Sequence, residues 1–175
     1  VGNCGISLAP LRFFGDRPPP PLDLLRVGYN FPRMADFVDH LEANPPATNA
    51  AYLCGHTSLR VGAVDDLMRP ATEDEISLMK DNLSEALDSG AVGLSTGLAY
   101  DPAKSEPTSE ILSLAQILGP ADELYTTHLR DEGANILTSL EEAFLIGRES
   151  DAAVVLSHHK VTGRENISRS HEKLE

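Results

Sequence analysis

The chain has 175 residues, enough for one domain with a sizeable core but short of the roughly 250 residues of a complete eight-stranded (β/α) barrel. Acidic residues outnumber basic ones by 27 to 14, and the formal charge of −13 repels phosphate backbones and anionic lipid, so neither nucleic acid nor a membrane surface is an expected partner. No apolar run reaches the ~18 residues of a membrane span, and Cys4 and Cys54 make neither a disulfide framework nor a Cys-x-x-Cys motif, which points to a reduced, cytoplasmic setting.

Residues 1–4 read as the end of a strand that runs into Cys4. The prolines at 18–21 remove backbone donors and fix φ, so residues 10–32 are read as a proline-rich irregular insertion. From residue 32 to about 43, Met34, Phe37, Val38 and Leu41 recur at helical spacing until Asn44-Pro45-Pro46 stops them. Residues 50–54 form a short apolar strand expected to hand over to a polar loop at Gly55-His56. Thr72-Glu73-Asp74-Glu75 is a capping box, in which the hydroxyl accepts an orphan amide while Glu75 reaches back. Ile76, Met79, Leu83 and Leu87 then line one helical face, and Gly90 is placed to end the helix. Residues 91–94 follow as a strand, with 95–102 as its loop.

The same order repeats twice. A helix at 109–118 turns Ile111, Leu114, Ala115 and Leu118 inward and leads to a strand ending at Thr127-His128. A helix at 135–147 turns Ile136, Leu140, Ala143 and Phe144 inward and leads to a strand at 152–156, followed by Ser157-His158. Five strands too apolar for a half-exposed sheet, alternating with at least four helices, indicate an α/β fold of parallel strands with crossover helices. Both a segment of a barrel and a doubly wound open sheet have that order.

Cys4, His128 and one of His158 and His159 each fall at or just past the carboxyl end of an apolar stretch, where a (β/α) barrel gathers its active site. Thiolate and imidazole are donors that zinc accepts in tetrahedral geometry, and three protein ligands with one open position describe a catalytic site. Arg130, Asp131 and Glu132 either orient such ligands or brace their loop. His56 and Arg60 are placed on a rim loop, Cys54 in the core, and His40 and His171 on the surface. Ser95 lacks the flanks of a nucleophile elbow and is read as a loop hydrogen-bonder.

Five blocks carry a family resemblance: Gly2-Asn3-Cys4-Gly5, residues 55–60 from Gly55-His56 to Arg60, residues 93–102 from Gly93 through Tyr100 to Pro102, residues 125–132 from Tyr125 through His128 to Glu132, and residues 156–160 from Leu156 through His158 to Lys160. In order and spacing they resemble the N-acyl-D-amino-acid deacylases (D-aminoacylases) of the amidohydrolase superfamily. The resemblance implies a TIM-barrel hydrolase with zinc as cofactor that cuts an N-acyl-D-amino acid into a carboxylate and the free D-amino acid. It implies that Cys4 takes the place of the carboxylated lysine of many superfamily relatives, that His128 and His158 are the histidine ligands of the tighter zinc site, and that Tyr100 and Lys160 hold the substrate carboxylate. His158 is preferred to His159 because it directly follows Ser157, where relatives often carry a single histidine.

The His-x-His pair that the family carries on its first strand does not occur in the sequence, and the aspartate expected as general base would lie beyond Glu175. The start without Met and the Leu174-Glu175 close, which resembles a cloning scar, agree with that. The chain is therefore read as one incomplete barrel domain over residues 1–175, about strands two to six of eight, with no catalytic residue of its own. It is expected to be inactive alone and to self-associate through two unpaired sheet edges. The competing readings are another amidohydrolase acting on a cyclic or N-acyl amide, and a non-catalytic module holding a structural zinc or no metal.

Overall fold

The computed structural model describes residues 1–12, 20, 22–24, 31–119 and 123–171. Most of the expected insertion at 10–32 lies outside the described residues, as do Pro120, Leu174 and Glu175. In chain order the elements are a 3-10 turn at Leu22–Leu24, α1 (Met34–Ala43), β1 (Cys54–Gly55), α2 (His56–Ala63), α3 (Glu73–Asp88), β2 (Gly93–Gly97), α4 (Asp101–Lys104), α5 (Thr108–Ala115), β3 (Leu124–His128), α6 (Ile136–Ser150), β4 (Ala153–Leu156) and a 3-10 helix at Arg164–Ser170.

The four strands form one sheet in the order β1-β2-β3-β4, every neighbouring pair parallel. Among the described residues spatial order follows chain order, with no switch point of the kind that defines a doubly wound sheet. The fifth strand expected at residues 1–4 is reduced to a backbone pairing at Val1, which donates to Ala51 O at 2.7 Å and accepts from Leu53 N at 2.8 Å. It goes no further because the backbone leaves the extended region at Gly2, φ 94°, and again at Cys4, φ 57°.

Strand register separates two faces. Leu94 pairs with Tyr125 and Tyr125 with Val154, so these share the face that packs on the helices, where Met79, Leu83, Ile111 and Leu114 are fully buried. The opposite face carries Ser95, Gly97, Thr126, His128, Ala153 and Val155, mostly small or polar. On β4 this face is open, and Val155 is 44% exposed.

The helices follow the sequence where packing and local propensity agree. The capping box at Thr72 and Glu75 forms with both hydrogen bonds, and Gly90 adopts φ 99° just beyond α3. Ile111, Leu114, Ala115 and Leu118 are all buried. Phe144 differs from expectation and is 46% exposed, because the inward stripe of α6 runs through Ile136, Leu140, Ala143 and Gly147 and leaves position 144 beside it. Two further corrections concern the rim. Ser95 lies inside β2 rather than in a loop, and His56 and Arg60 are fully buried residues of helix α2 rather than part of a rim loop.

Candidate metal centre

Cys4 sits in a strained turn over the carboxyl end of β2. A non-glycine residue at φ 57° needs outside support, and Ser95 supplies it on both flanks: its Oγ donates to Gly2 O and accepts from Gly5 N at 3.1 Å. The turn lies so close to β2 that a Cβ on Gly97 would fall 2.2 Å from Cys4 O, so only glycine fits there. His128 is the last residue of β3, on the same sheet face as Gly97, with which it pairs. His158 follows β4 by two residues.

These three elements bring together side chains 124 and 154 positions apart. Cys4 Sγ lies 3.7 Å from His128 Nδ1 and 3.4 Å from His158 Nε2, and the two imidazoles meet edge to face at 4.8 Å between ring centroids. Zinc held by sulfur at about 2.3 Å and by nitrogen at about 2.0–2.1 Å would set those atoms about 3.6 Å apart in tetrahedral geometry. The two observed separations bracket that value, so this donor set fits the ion. His159 is not part of the cluster.

The surroundings favour neutral donors when no cation is present. Burial raises the pKa of the Cys4 thiol, partly offset by a hydrogen bond with Tyr100 and the charge of Lys160. Burial likewise lowers that of His128, against the pull of Glu132. The Tyr100 hydroxyl is 3.5 Å from His128 Nδ1, and burial followed by proximity to Cys4 raises its pKa. Lys160 pairs with Glu132, whose Oε2 is also 3.5 Å from His128 Nε2. Tyr100 and Lys160 thus lie beside the Cys-His-His cluster.

Compared with known proteins, the chain is 51% identical over 99% of its length to a D-aminoacylase of Alcaligenes xylosoxydans xylosoxydans, of which it covers 36%. The chain belongs to the D-aminoacylase family of amidohydrolases. An N-acyl-D-aspartate deacylase from the same organism is 50% identical over all of the chain, which spans 35% of that relative. A solved D-aminoacylase, described as having a binuclear metal centre, superposes with a TM-score of 0.95 at 50% identity over 99% of the chain and 36% of the neighbour. The N-acyl-D-glutamate deacylase of Bordetella bronchiseptica, solved with zinc and a phosphonate inhibitor, gives 0.85 at 36% identity, covering 99% of the chain and 38% of its own. No protein-family model matches. The chain thus spans about a third of the length of these D-aminoacylase relatives.

The remaining charged residues divide by what they touch. Arg130 forks onto Glu142 at 2.8–2.9 Å and donates to Lys104 O, bracing its loop on α6 and α4. Asp131 accepts from Asn135 and serves the turn before α6. Cys54 is fully buried core, and His40 and His171 are exposed. Sequence reasoning missed a second cluster, fully buried, in which His56 and Arg60 of α2 meet Glu106 and Glu110. Arg60 Nη1 is 2.6 and 2.9 Å from the two Glu110 oxygens, and Arg60 Nη2 donates to Arg69 O at 2.8 Å. The arginine hydrogen-bonds both oxygens of Glu110 and lies in ion-pair range of Glu106, so the cluster is an ion-pair knot joining α2, α5 and the loop at 65–71.

Proposed function

We propose that the chain is the metal-binding portion of a zinc-dependent amidohydrolase that hydrolyses N-acyl-D-amino acids to a carboxylate and the free D-amino acid. The observation that carries this reading is the convergence of Cys4, His128 and His158 at zinc-ligand spacing, in a chain half identical to a D-aminoacylase. The sequential parallel sheet, with helices on one face and the cluster at the carboxyl ends on the other, supports reading residues 1–175 as one incomplete TIM-barrel domain.

In this reading Cys4, His128 and His158 hold the ion, which supplies Lewis-acid polarisation of the scissile carbonyl and acidifies water at neutral pH. The chain's own residues prepare the rest. Ser95 fixes the thiol-bearing turn. Tyr100 and Lys160 bind the substrate carboxylate, the phenol donating a hydrogen bond and the ammonium contributing charge, which offsets the repulsion an anionic substrate meets from so acidic a protein. His128 and the tyrosine beside it put the carboxylate-binding end of the site next to the ion-binding end. A carboxylate acting as base to move a proton from water to the leaving nitrogen belongs to a part of the protein outside this chain, and the chain alone is inactive. The setting is cytoplasmic, in keeping with free thiols at Cys4 and Cys54.

The test has two arms. Titration of the chain with cobalt should give visible absorption of a thiolate-ligated tetrahedral ion, absent in a Cys4→Ala variant. The whole protein should turn over N-acyl-D-amino acids, neutral and acidic, and spare the L-isomers and cyclic ureides. Cobalt binding without thiolate character, or preference for a cyclic ureide, would remove the assignment.

A further inference from the structure

We propose that Glu132 is a positioning residue that fixes the tautomer of His128 and tethers Lys160, so that a single buried carboxylate sets both the ion-binding and the substrate-binding side of the site. The inference rests on the reading above and adds a residue to it. Glu132 lies four positions beyond His128, and its side chain is only 7% exposed. Its backbone carbonyl accepts from Thr162 N at 2.7 Å, which pins the segment after β3 to the segment after β4. Side chain and main chain of one residue therefore join the end of β3, which carries His128, to the segment after β4, which carries Lys160.

The two ring nitrogens of His128 face groups of opposite character. Nδ1 faces Cys4 Sγ at 3.7 Å and Tyr100 Oη at 3.5 Å, a thiol and a phenol that can each donate a hydrogen. Nε2 faces Glu132 Oε2 at 3.5 Å, and an ionised carboxylate only accepts. A neutral imidazole between them carries its hydrogen on Nε2 and leaves the Nδ1 lone pair directed at the Cys4 sulfur, the nitrogen a metal would need. The same Oε2 pairs with Lys160 Nζ, so the ammonium is held at the edge of the cluster. Carboxylates that orient a ligating histidine in this way are worth about 10–100-fold in metal affinity.

The test reads the tautomer and the affinity separately, with zinc as probe. In the metal-free chain, long-range proton–nitrogen NMR of the imidazoles should show His128 protonated at Nε2. Glu132→Ala should mix the two tautomers and weaken zinc binding about 10–100-fold by competition with a chromophoric chelator. Glu132→Gln, which keeps an acceptor oxygen, should retain the tautomer and lose only a few-fold in affinity, and Glu149→Ala, an exposed change on α6, should leave both unchanged. A residue that merely supports the fold would lower thermal stability without moving the tautomer. Protonation of wild-type His128 at Nδ1 would overturn the inference whatever the variants do. So would unchanged tautomer and affinity in Glu132→Ala. A wild-type chain that shows the Nε2 tautomer but binds no zinc would instead count against the ligand reading beneath it.

Discussion

At the residue scale the site depends on three donors whose proximity no local pattern encodes. Cys4 and His128 are each visible as a ligand type after an apolar stretch, but that the Cys4 sulfur lies 3.7 Å from His128 and 3.4 Å from His158 follows from the parallel register of β2, β3 and β4. Replacing either Cys4 or His158 by alanine should abolish tight zinc binding, whereas His159→Ala should leave it nearly intact; competitive zinc titration of the three variants checks the choice between the adjacent histidines. Ser95 was legible only as a hydrogen-bonding serine, because its partners Gly2 and Gly5 are ninety positions away. Since Cys4 has left-handed backbone, costing about 1–3 kcal/mol, loss of the clamp should release it. Ser95→Ala should therefore weaken zinc binding by about tenfold or more, read by the same titration, with the ligands themselves untouched.

At the scale of elements, α3 and α5 were readable because their apolar stripes and caps are local, while α2 was not. Its residues His56, Thr57, Ser58 and Arg60 are polar yet fully buried, so they show no amphipathic alternation. What stabilises α2 is the ion-pair knot, and its two carboxylates have different surroundings. Burial raises the pKa of Glu110, but aligned hydrogen bonds from His56 and Arg60 outweigh that and hold it at about 2. Glu106 approaches the same partners, 3.2 Å from His56 Nδ1 and 2.9 Å from Arg60 Nε, without aligned hydrogen bonds, and burial pushes it up to about 7. Glu110 therefore contributes stability that is present above its ordinary value near 4.5 and lost as pH falls toward about 2. Glu106 contributes in the opposite sense: its share is full below about 4.5 and is lost as pH rises through about 7. Thermal melts should accordingly show stability falling between about pH 5 and 7, and Glu106→Gln should flatten that slope. Glu110→Ala, which strands a buried arginine, should cost about 3–5 kcal/mol in denaturant unfolding.

At the scale of the whole molecule, the sheet has helices on one face and an open face and edge on the other. Val155 on β4, with Phe144 and Leu145 on the adjoining α6, leaves apolar surface exposed beside a strand whose outer backbone groups have no neighbouring strand among the described residues. In a protein about three times as long, further strands would pair with that edge. Prepared alone, the chain should self-associate through it, and sedimentation velocity should show the weight-average mass rising with concentration. A Lys substituted for Val155 should return it toward monomer. Among the described residues no helix is long and apolar enough to cross a membrane.

The sequence by itself determined the repeating order of helix and parallel strand, the capped helix at Glu73–Asp88 and the chemical types of the candidate ligands, because periodicity, capping and donor identity are properties of neighbouring residues. Tertiary structure decided which of those residues meet. Strand register put Gly97 and His128 side by side, a serine in β2 fixed the turn at Cys4, and Glu132 came between His128 and Lys160. It also decided that His56 and Arg60 are core rather than rim, since two carboxylates some fifty positions later are what make their burial tolerable. Contacts between residues far apart in the chain are fixed by how sheet and helices pack together, and no local stretch of sequence contains them.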